Sequence, residues 1–554
     1  MAKMTGGDAA YHALRALGVD CVFGIVSVHN IPIYDAIRRH GGIRTIDARH
    51  EQAAVHMADG FARTTGGLGV AITSTGPGAA NAMSGLYEAQ FASSPVMMIT
   101  GQIDSAYYGK GKGFVHEAER QVDMLSTVTK HTASVGAREE IATTILSAGT
   151  TAQQGRPGPV AVEIPIDMQY RSINDEPATP PTLTRRRADP AAVAAAADVL
   201  AASQRRVIVA GGGINRAGAH RELAELARAL EAPIFTTVNG RGAISEDDPL
   251  AMGVLQGPPL GGPQIQEALA SAEVVLAVAT RFQAHATSLW QLAVPRRLIH
   301  LDVDPSSIGR NYPAEATLVA DAAEGLQALA DAADWQSNDD DFNQSLFEHR
   351  ARHRQSLRER IGPDHEMILD AIRHHLPADG CIVRDATVPA YTWGNQLLSV
   401  RQPRTSIHPT SSAIGPGLPS AIGAALASGE KTVLLQGDGG FMLHIGELAT
   451  AAQYAAPIVI CLFNDGGYGV LRHIQNATFD GRTTGVDLHT PDFTALAHAM
   501  GLNAERVGAA VEFEPAFERA IAAEGPVLLE IDMSGIEPIQ LRIPQAHGTH
   551  NARR

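Results

Sequence analysis

The chain has 554 residues, 45% of them hydrophobic and 19% charged, and carries a formal net charge of -15. Those proportions are ordinary for a globular protein and exclude wholesale disorder, while the length exceeds one usual core and predicts two to four domains. The acidic balance, with no basic stripe interleaved with aromatics, argues against nucleic-acid binding.

Met1–Ala10 lacks the charged start and long apolar stretch of a secretory signal, and no segment approaches the roughly 18 consecutive apolar residues of a membrane span. A cytoplasmic protein without membrane contact is expected. In the first block Ile43–Ala48 and Val70–Thr75 read as buried strands, with Glu51–Thr64 between them as a helix. The stretch Ser172–Pro190, where Pro177, Pro180, Pro181 and Pro190 stand among polar residues, reads as a linker. The middle block supplies strands Val207–Ala210, Val274–Ala279 and Leu298–Val303. Its Gly211-Gly212-Gly213 turn is too weak a pattern for a dinucleotide site, and a structural role is expected. A second irregular stretch, from about Trp335 to Pro363, opens on Asp339–Asp341 and continues as a charged, helix-like connector. The basic clusters Arg185–Arg187 and Arg350–Arg360 read as solvated linker charge.

In the third block Thr432–Gln436 and Pro457–Phe463 are strands joined by the helical Gly446–Ala455. Short apolar strands alternating with helices predict parallel sheets covered on both faces. The fold class is therefore α/β, with three consecutive α/β domains of mainly parallel sheets over 1–175, 190–335 and 362–554; the first and third could be related folds. Cys21, Cys381 and Cys461 lie far apart in apolar, strand-like runs, which predicts buried reduced thiols.

The chemistry concentrates in the third block. Gly437-Asp438-Gly439-Gly440 follows one predicted strand, and Asn464-Asp465-Gly466-Gly467-Tyr468-Gly469 ends the next. Ligands collect at the carboxyl ends of parallel strands. Asp438 offers a carboxylate, Asn464 an amide oxygen and Gly466 a backbone carbonyl, three hard oxygens suited to magnesium. The glycines let backbone N–H groups approach phosphate oxygens, and a helix start favours their charge.

This arrangement resembles the thiamine-diphosphate enzyme family, whose signature is a Gly-Asp-Gly followed at a similar interval by Asn. The likeness spans nearly the whole chain and is greatest to the group of acetolactate synthase, benzaldehyde lyase and 2-oxo acid decarboxylases. It implies a pyrimidine-binding, a middle and a diphosphate-binding domain in that order, with thiamine diphosphate and Mg2+ as cofactors. Glu51, in Arg49-His50-Glu51-Gln52, matches the glutamate that shares a proton with the pyrimidine ring of the cofactor and so promotes its activation. Gly76, Pro77 and Asn81 match the turn beside that ring. Ser412 and Ile414 match a stretch that supports the cofactor, Ile414 as the bulky apolar residue that bends it. Gly437, Asp438, Gly439, Gly440, Asn464, Gly466, Gly467 and Tyr468 are the expected diphosphate and metal residues, with Asp438, Asn464 and Gly466 on the metal. The resemblance also implies that Glu51 and the Asp438 group come from different subunits, hence a homodimer at minimum, with a homotetramer expected.

On the substrate side the chain departs from acetolactate synthases. Ile474 stands where they carry a tryptophan, and Arg281-Phe282 continues as Gln283-Ala284-His285 in place of an acidic-acidic-basic run. Both departures count against a biosynthetic acetolactate synthase and leave FAD a disfavoured cofactor. His29 lies in a loop that reaches the active site in relatives, and a histidine there is more like benzaldehyde lyase. His116 matches a glutamine beside the substrate carbonyl. Two neutral imidazoles can relay protons near neutral pH, so Glu51, His29 and His116 are the expected catalytic residues. The expected activity is that of a 2-oxo acid decarboxylase or carboligase. The alternatives are a hydroxyketone lyase or synthase and, more remotely, a regulatory homologue without activity. Substrates are small 2-oxo acids, aldehydes or hydroxyketones.

Overall fold

Short apolar runs become the strands of three six-stranded sheets in the computed structural model, which describes residues 4–173, 179–256, 263–284 and 286–540. The first sheet runs, in spatial order, Arg44–Asp47, Cys21–Gly24, Gly69–Thr73, Val96–Gln102, Val160–Pro165 and His131–Ser134, all parallel. The third runs Ser406–Ile407, Cys381–Arg384, Thr432–Gly437, Ile458–Asn464, Val527–Asp532 and Asn503–Val507. Numbering the strands of each sheet along the chain gives 2-1-3-4-6-5 in both, so the first and third sheets share one topology. The middle sheet has the order 3-2-1-4-5-6 of a doubly wound fold.

Alternation explains why the middle sheet is covered on both sides. Ile208 and Ala210 enter one apolar cluster, Val207 and Val209 the other, because successive side chains of a strand point to opposite faces. Each fully buried Val, Leu or Ile of this kind stabilises by roughly 1.5–3 kcal/mol over exposure. The glycine turn after that strand is occupied by its own neighbours: a Cβ on Gly211 would stand 2.0 Å from the Ala279 carbonyl oxygen. All three cysteines are buried free thiols, as expected. Among the described residues no helix is long and apolar enough to cross a membrane.

By internal contacts the chain forms two compact units. One comprises the N-terminal residues through Thr184 with Pro409–Gly429 and His444–Ile458; the other comprises Arg185–His408, Glu430–Leu443 and the chain from Val459. Within the first unit, helix Glu51–Thr65 packs along helix Gly417–Ser428 at backbone contact. Glycine permits this: a Cβ on Gly60 would lie 2.2 Å from the Ser420 carbonyl oxygen, and one on Gly423 2.0 Å from that of Met57.

Several expectations are corrected. Ser172–Ile173 is not linker but a short strand antiparallel to Met4–Thr5, and Pro190 opens a helix capped by Asp189; Pro177 lies outside the described residues. The second stretch is helical, as expected, but it is not a surface linker: the helix runs from Asp340 to His375, past Pro363, broken only at Gly362, and buries Phe342, Leu346, Leu357 and Ile361. Its basic run is therefore not simply solvated charge. Arg350 donates to the Ala251 carbonyl at 2.6 Å, and Arg358 pairs with Asp370 at 2.8 Å. The strand expected at Ile43–Ala48 is an edge strand, with Arg44 and Asp47 exposed.

Candidate active site

The expected site residues fall into two groups, one in each unit. In the first unit, Glu51 opens its helix after His50, whose ring accepts the Gln52 amide as an N-cap. A carboxylate is favoured in that first turn by the unpaired N–H groups around it. Glu51 Oε2 accepts a hydrogen bond from Asn81 Nδ2 at 3.0 Å, and a Cβ on Gly78 would stand 2.9 Å from Oε1. The turn Gly76-Pro77-Gly78 thus lies against the Glu51 carboxylate. Gly76 takes a φ of +59°, and Pro77 starts the short helix Pro77–Asn81. The Gly76 amide and the Thr75 hydroxyl both donate to Gln121 Oε1, at 2.8 and 2.9 Å.

The same turn meets the backbone of His116, one of the two expected histidines. A Cβ on Gly76 would be 2.8 Å from the carbonyl oxygen of His116, itself held at a φ of +68°. The His116 and His29 rings lie 5.1 Å apart, centroid to centroid. His29 is 5% exposed, and its Nδ1 is buried without a hydrogen-bond partner. Burial, and then the neighbouring His116, push its pKa below the ordinary histidine value, so it is neutral at pH 7.

Ser412 and Ile414 belong to this unit as well. The segment before them is anchored by the buried Glu88, which accepts the Thr410 and Ser411 amides at 2.6 and 2.9 Å and pairs with Arg63 at 2.7 Å. Ser412 has a φ of +64°, and Ile414 is 37% exposed, high for a large aliphatic side chain. Just beyond, His444 Nδ1 lies 3.0 Å from the Gly415 carbonyl oxygen.

The second group stands at two neighbouring strand ends, Thr432–Gly437 and Ile458–Asn464. Asp438 is fully buried, and its Oδ1 is 3.4 Å from the donating Asp465 amide. Its Oδ2 is buried without a hydrogen-bond partner. Burial, reinforced by the Asp465 carboxylate, pushes its pKa up. Asn464 Oδ1 accepts the Gly466 amide at 3.2 Å while its Nδ2 donates to Glu530 at 2.8 Å. Gly439 lies under the Tyr468 ring, where a Cβ would come within 2.6 Å of Cδ1. Gly437 and Gly440 flank Asp438 in buried backbone, and Gly467 takes a φ of +149° where a Cβ would strike the Val486 carbonyl.

A buried carboxylate oxygen with no partner, following one strand, and an amide oxygen at the end of the neighbouring strand are donors that fit a hard divalent cation. The Gly466 carbonyl is engaged already: it accepts the Leu488 amide at 2.9 Å and lies 3.3 Å from Arg472 Nη2. Among the described residues no three His, Cys, Asp or Glu side chains form a metal cluster, so a cation here relies on the mixed oxygen set. Two helices start at these glycine segments, the single turn Asp438–Phe441, too short for more than a local effect, and the ten-residue Gly469–Thr478 directly after Tyr468. His285, part of the departure in the middle block, lies outside the described residues.

Sequence reading missed Gln121, Glu163, Glu530, Glu88 and Arg472. A signal existed for two of them: Glu163 is the single carboxylate of the otherwise apolar strand Val160–Pro165, and Glu530 stands among the apolar residues of Val527–Asp532, ahead of its terminal Asp532. Gln121 and Arg472 sit in polar surroundings with nothing local to mark them.

Comparison with known proteins matches three family domains in succession along the chain. Residues 4–127 match the thiamine pyrophosphate enzyme N-terminal TPP binding domain, 193–329 the central domain, and 389–531 the C-terminal TPP binding domain. The chain is 32% identical to a probable acetolactate synthase large subunit of Methanocaldococcus jannaschii, covering 98% of this chain and 94% of the relative. It is 32% identical to the acetolactate synthase isozyme 2 large subunit of Escherichia coli, with 98% of each covered. A probable 2-ketoarginine decarboxylase of Pseudomonas aeruginosa is 34% identical over 95% of this chain and 94% of the relative. The chain therefore belongs to the thiamine pyrophosphate enzyme family, as an enzyme of its acetolactate synthase-like group.

Proposed function

We propose that this enzyme, with thiamine diphosphate and Mg2+, decarboxylates a 2-oxo acid and either protonates the remaining fragment to an aldehyde or joins it to a second carbonyl. When bound, the cofactor supplies a carbon nucleophile and an electron sink. Asp438 and Asn464 would hold the cation, with Gly466 as third ligand if its carbonyl is freed from Arg472. Backbone N–H groups around Gly437, Gly439, Gly440 and Gly467, with Tyr468 beside them, would face the diphosphate. Glu51 would hold a proton at the pyrimidine ring nitrogen, kept in place by Asn81 and the Gly76-Pro77-Gly78 turn. Ser412 and Ile414 would support the cofactor, Ile414 through its exposed side chain.

The observation that carries the decarboxylase side is the pair of adjacent imidazoles at 5.1 Å, with the His116 backbone against the turn that meets Glu51. A buried neutral His29 beside His116 supports proton delivery to the substrate-derived carbon. The likeness to a probable 2-ketoarginine decarboxylase agrees with that direction. A lyase or ligase acting on hydroxyketones has its own support: Val28 and Val115, next to the two histidines, are 66% and 72% exposed, an apolar rim suited to an aldehyde. Two chains, each lending Glu51 to the other's Asp438 group, would form the minimal unit, with a homotetramer expected. The test is a panel of 2-oxo acids with thiamine diphosphate and Mg2+, with and without aldehydes, following carbon dioxide and ketol separately. Carbon dioxide release without aldehyde is expected. Failure to turn over any 2-oxo acid, with ketol cleavage intact, would transfer the assignment to the hydroxyketone reading.

A further inference from the structure

The first and third sheets share more than strand order. In the first, Thr100 pairs with Glu163, and Gln102, which ends its strand, pairs with Pro165. In the third, Leu462 pairs with Glu530, and Asn464, which ends its strand, pairs with Asp532. Side chains two residues apart share a face. Each glutamate is thus the diagonal neighbour of the amide side chain that closes the adjacent strand. The bonds repeat with the register: Gln102 Nε2 donates to Glu163 at 3.1 Å, and Asn464 Nδ2 to Glu530 at 2.8 Å. In both, the amide oxygen turns away to accept a backbone N–H just past the strand end, from Ile103 at 2.9 Å and from Gly466 at 3.2 Å. Glu163 takes a second amide, Gln121 Nε2 at 2.7 Å, whose oxygen then receives Thr75 and Gly76.

Burying a carboxylate in an apolar strand is costly, yet both glutamates are at most 3% exposed. Glu163 accepts from Gln102, Gln121 and Ser134, and Glu530 accepts from Asn464, and an amide that donates to such a carboxyl oxygen has one orientation, NH2 inward and oxygen outward. We infer that Glu530 and Glu163 are matched positioning residues: Glu530 keeps the Asn464 oxygen directed at the loop Asp465–Gly467, and Glu163 keeps the Gln121 oxygen directed at the Gly76 turn. The Asn464 half rests on the reading of that loop as a cation site; the Gln121 half does not.

The test uses the full chain. E530Q keeps the size but can accept or donate, so Asn464 loses its preferred orientation. With thiamine diphosphate in fixed excess, the Mg2+ concentration giving half-maximal thermal stabilisation is expected to rise about 10- to 100-fold in E530Q. Glu530→Asp, which stays acceptor-only, should recover most of that loss. An unchanged Mg2+ midpoint in folded E530Q would overturn the inference. If the wild-type chain shows no Mg2+-dependent stabilisation, the cation reading itself fails, and E163Q then decides. It also decides if E530Q does not fold. In E163Q the Thr75–Gly78 amides should exchange hydrogen at least about tenfold faster than in wild type, because Gln121 can present NH2 to the Gly76 N–H; exchange at the wild-type rate would overturn the inference.

Discussion

Asn81 Nδ2 donates to Glu51 Oε2 across 3.0 Å, tying the first turn of one helix to the end of the turn that follows strand Gly69–Thr73. The bond constrains where the Glu51 carboxylate points, because Gly78 closes the other side. Glu51→Gln is expected to lower kcat by about 100- to 10,000-fold, the range of a lost general acid–base, with the melting temperature nearly unchanged. Asn81→Ala should cost about 10- to 100-fold, the value of a hydrogen bond to a charged group. Steady-state kinetics with a melting curve for each variant checks both.

Asp438 carries a prediction of opposite sign for stability and function. Its carboxylate is buried beside Asp465 with one oxygen unpaired, a net cost when no cation is bound. Asp438→Asn should therefore leave the metal-free protein as stable or more stable, while abolishing Mg2+-dependent uptake of thiamine diphosphate. Melting curves with and without EDTA, and a cofactor titration, separate the two effects. A large loss of stability in the metal-free variant would show that the carboxylate has an unseen structural partner.

His29→Ala and His116→Ala are each expected to reduce turnover by about 100-fold or more, within the general acid–base range. Cofactor affinity should change little. If both variants keep full turnover, the proton-delivery role is wrong.

His56 and His444 pack edge to face at 5.7 Å, and burial pushes their pKa values down to about 3 and about 4. The unfolded chain protonates both as pH falls through about 6.5, whereas the folded chain leaves them neutral to about pH 4. Stability fully present above about pH 6.5 is thus lost on acidification, at about 1.4 kcal/mol per pH unit for each histidine. Urea unfolding at pH 7 and pH 5 should show this slope, and His444→Asn should reduce it by about half of the pair's share.

Glycine-to-alanine replacement in a helix ordinarily stabilises by about 1 kcal/mol. At Gly423 the sign should reverse, because the new methyl group would stand 2.0 Å from the Met57 carbonyl oxygen. A loss of about 3 kcal/mol is expected from the forced separation of the two helices, measured by denaturant midpoint.

The sequence by itself determined whatever depends on neighbours along the chain. The apolar and amphipathic runs became elements within a residue or two of their expected ends, as with strand Thr432–Gly437 and helix Glu51–Thr65. The Gly-Asp-Gly and Asn segments stand at strand ends because glycine and aspartate follow apolar runs there. The cysteines were legible as thiols because each sits within such a run.

Tertiary structure decided what depends on residues far apart. The charged stretch from Asp340, legible as helix, was not legible as core: apolar positions such as Leu346 and Leu357 find partners only once the sheets are assembled. The shared 2-1-3-4-6-5 order, which brings Glu163 to Gln102 and Glu530 to Asn464, is set by strand pairing across the sheet. So is the packing of the His29 and His116 rings, 87 positions apart in the chain. Periodicity reports only which face of an element is apolar; which element meets that face is chosen by the packing of the whole, and side-chain orientation follows from that choice.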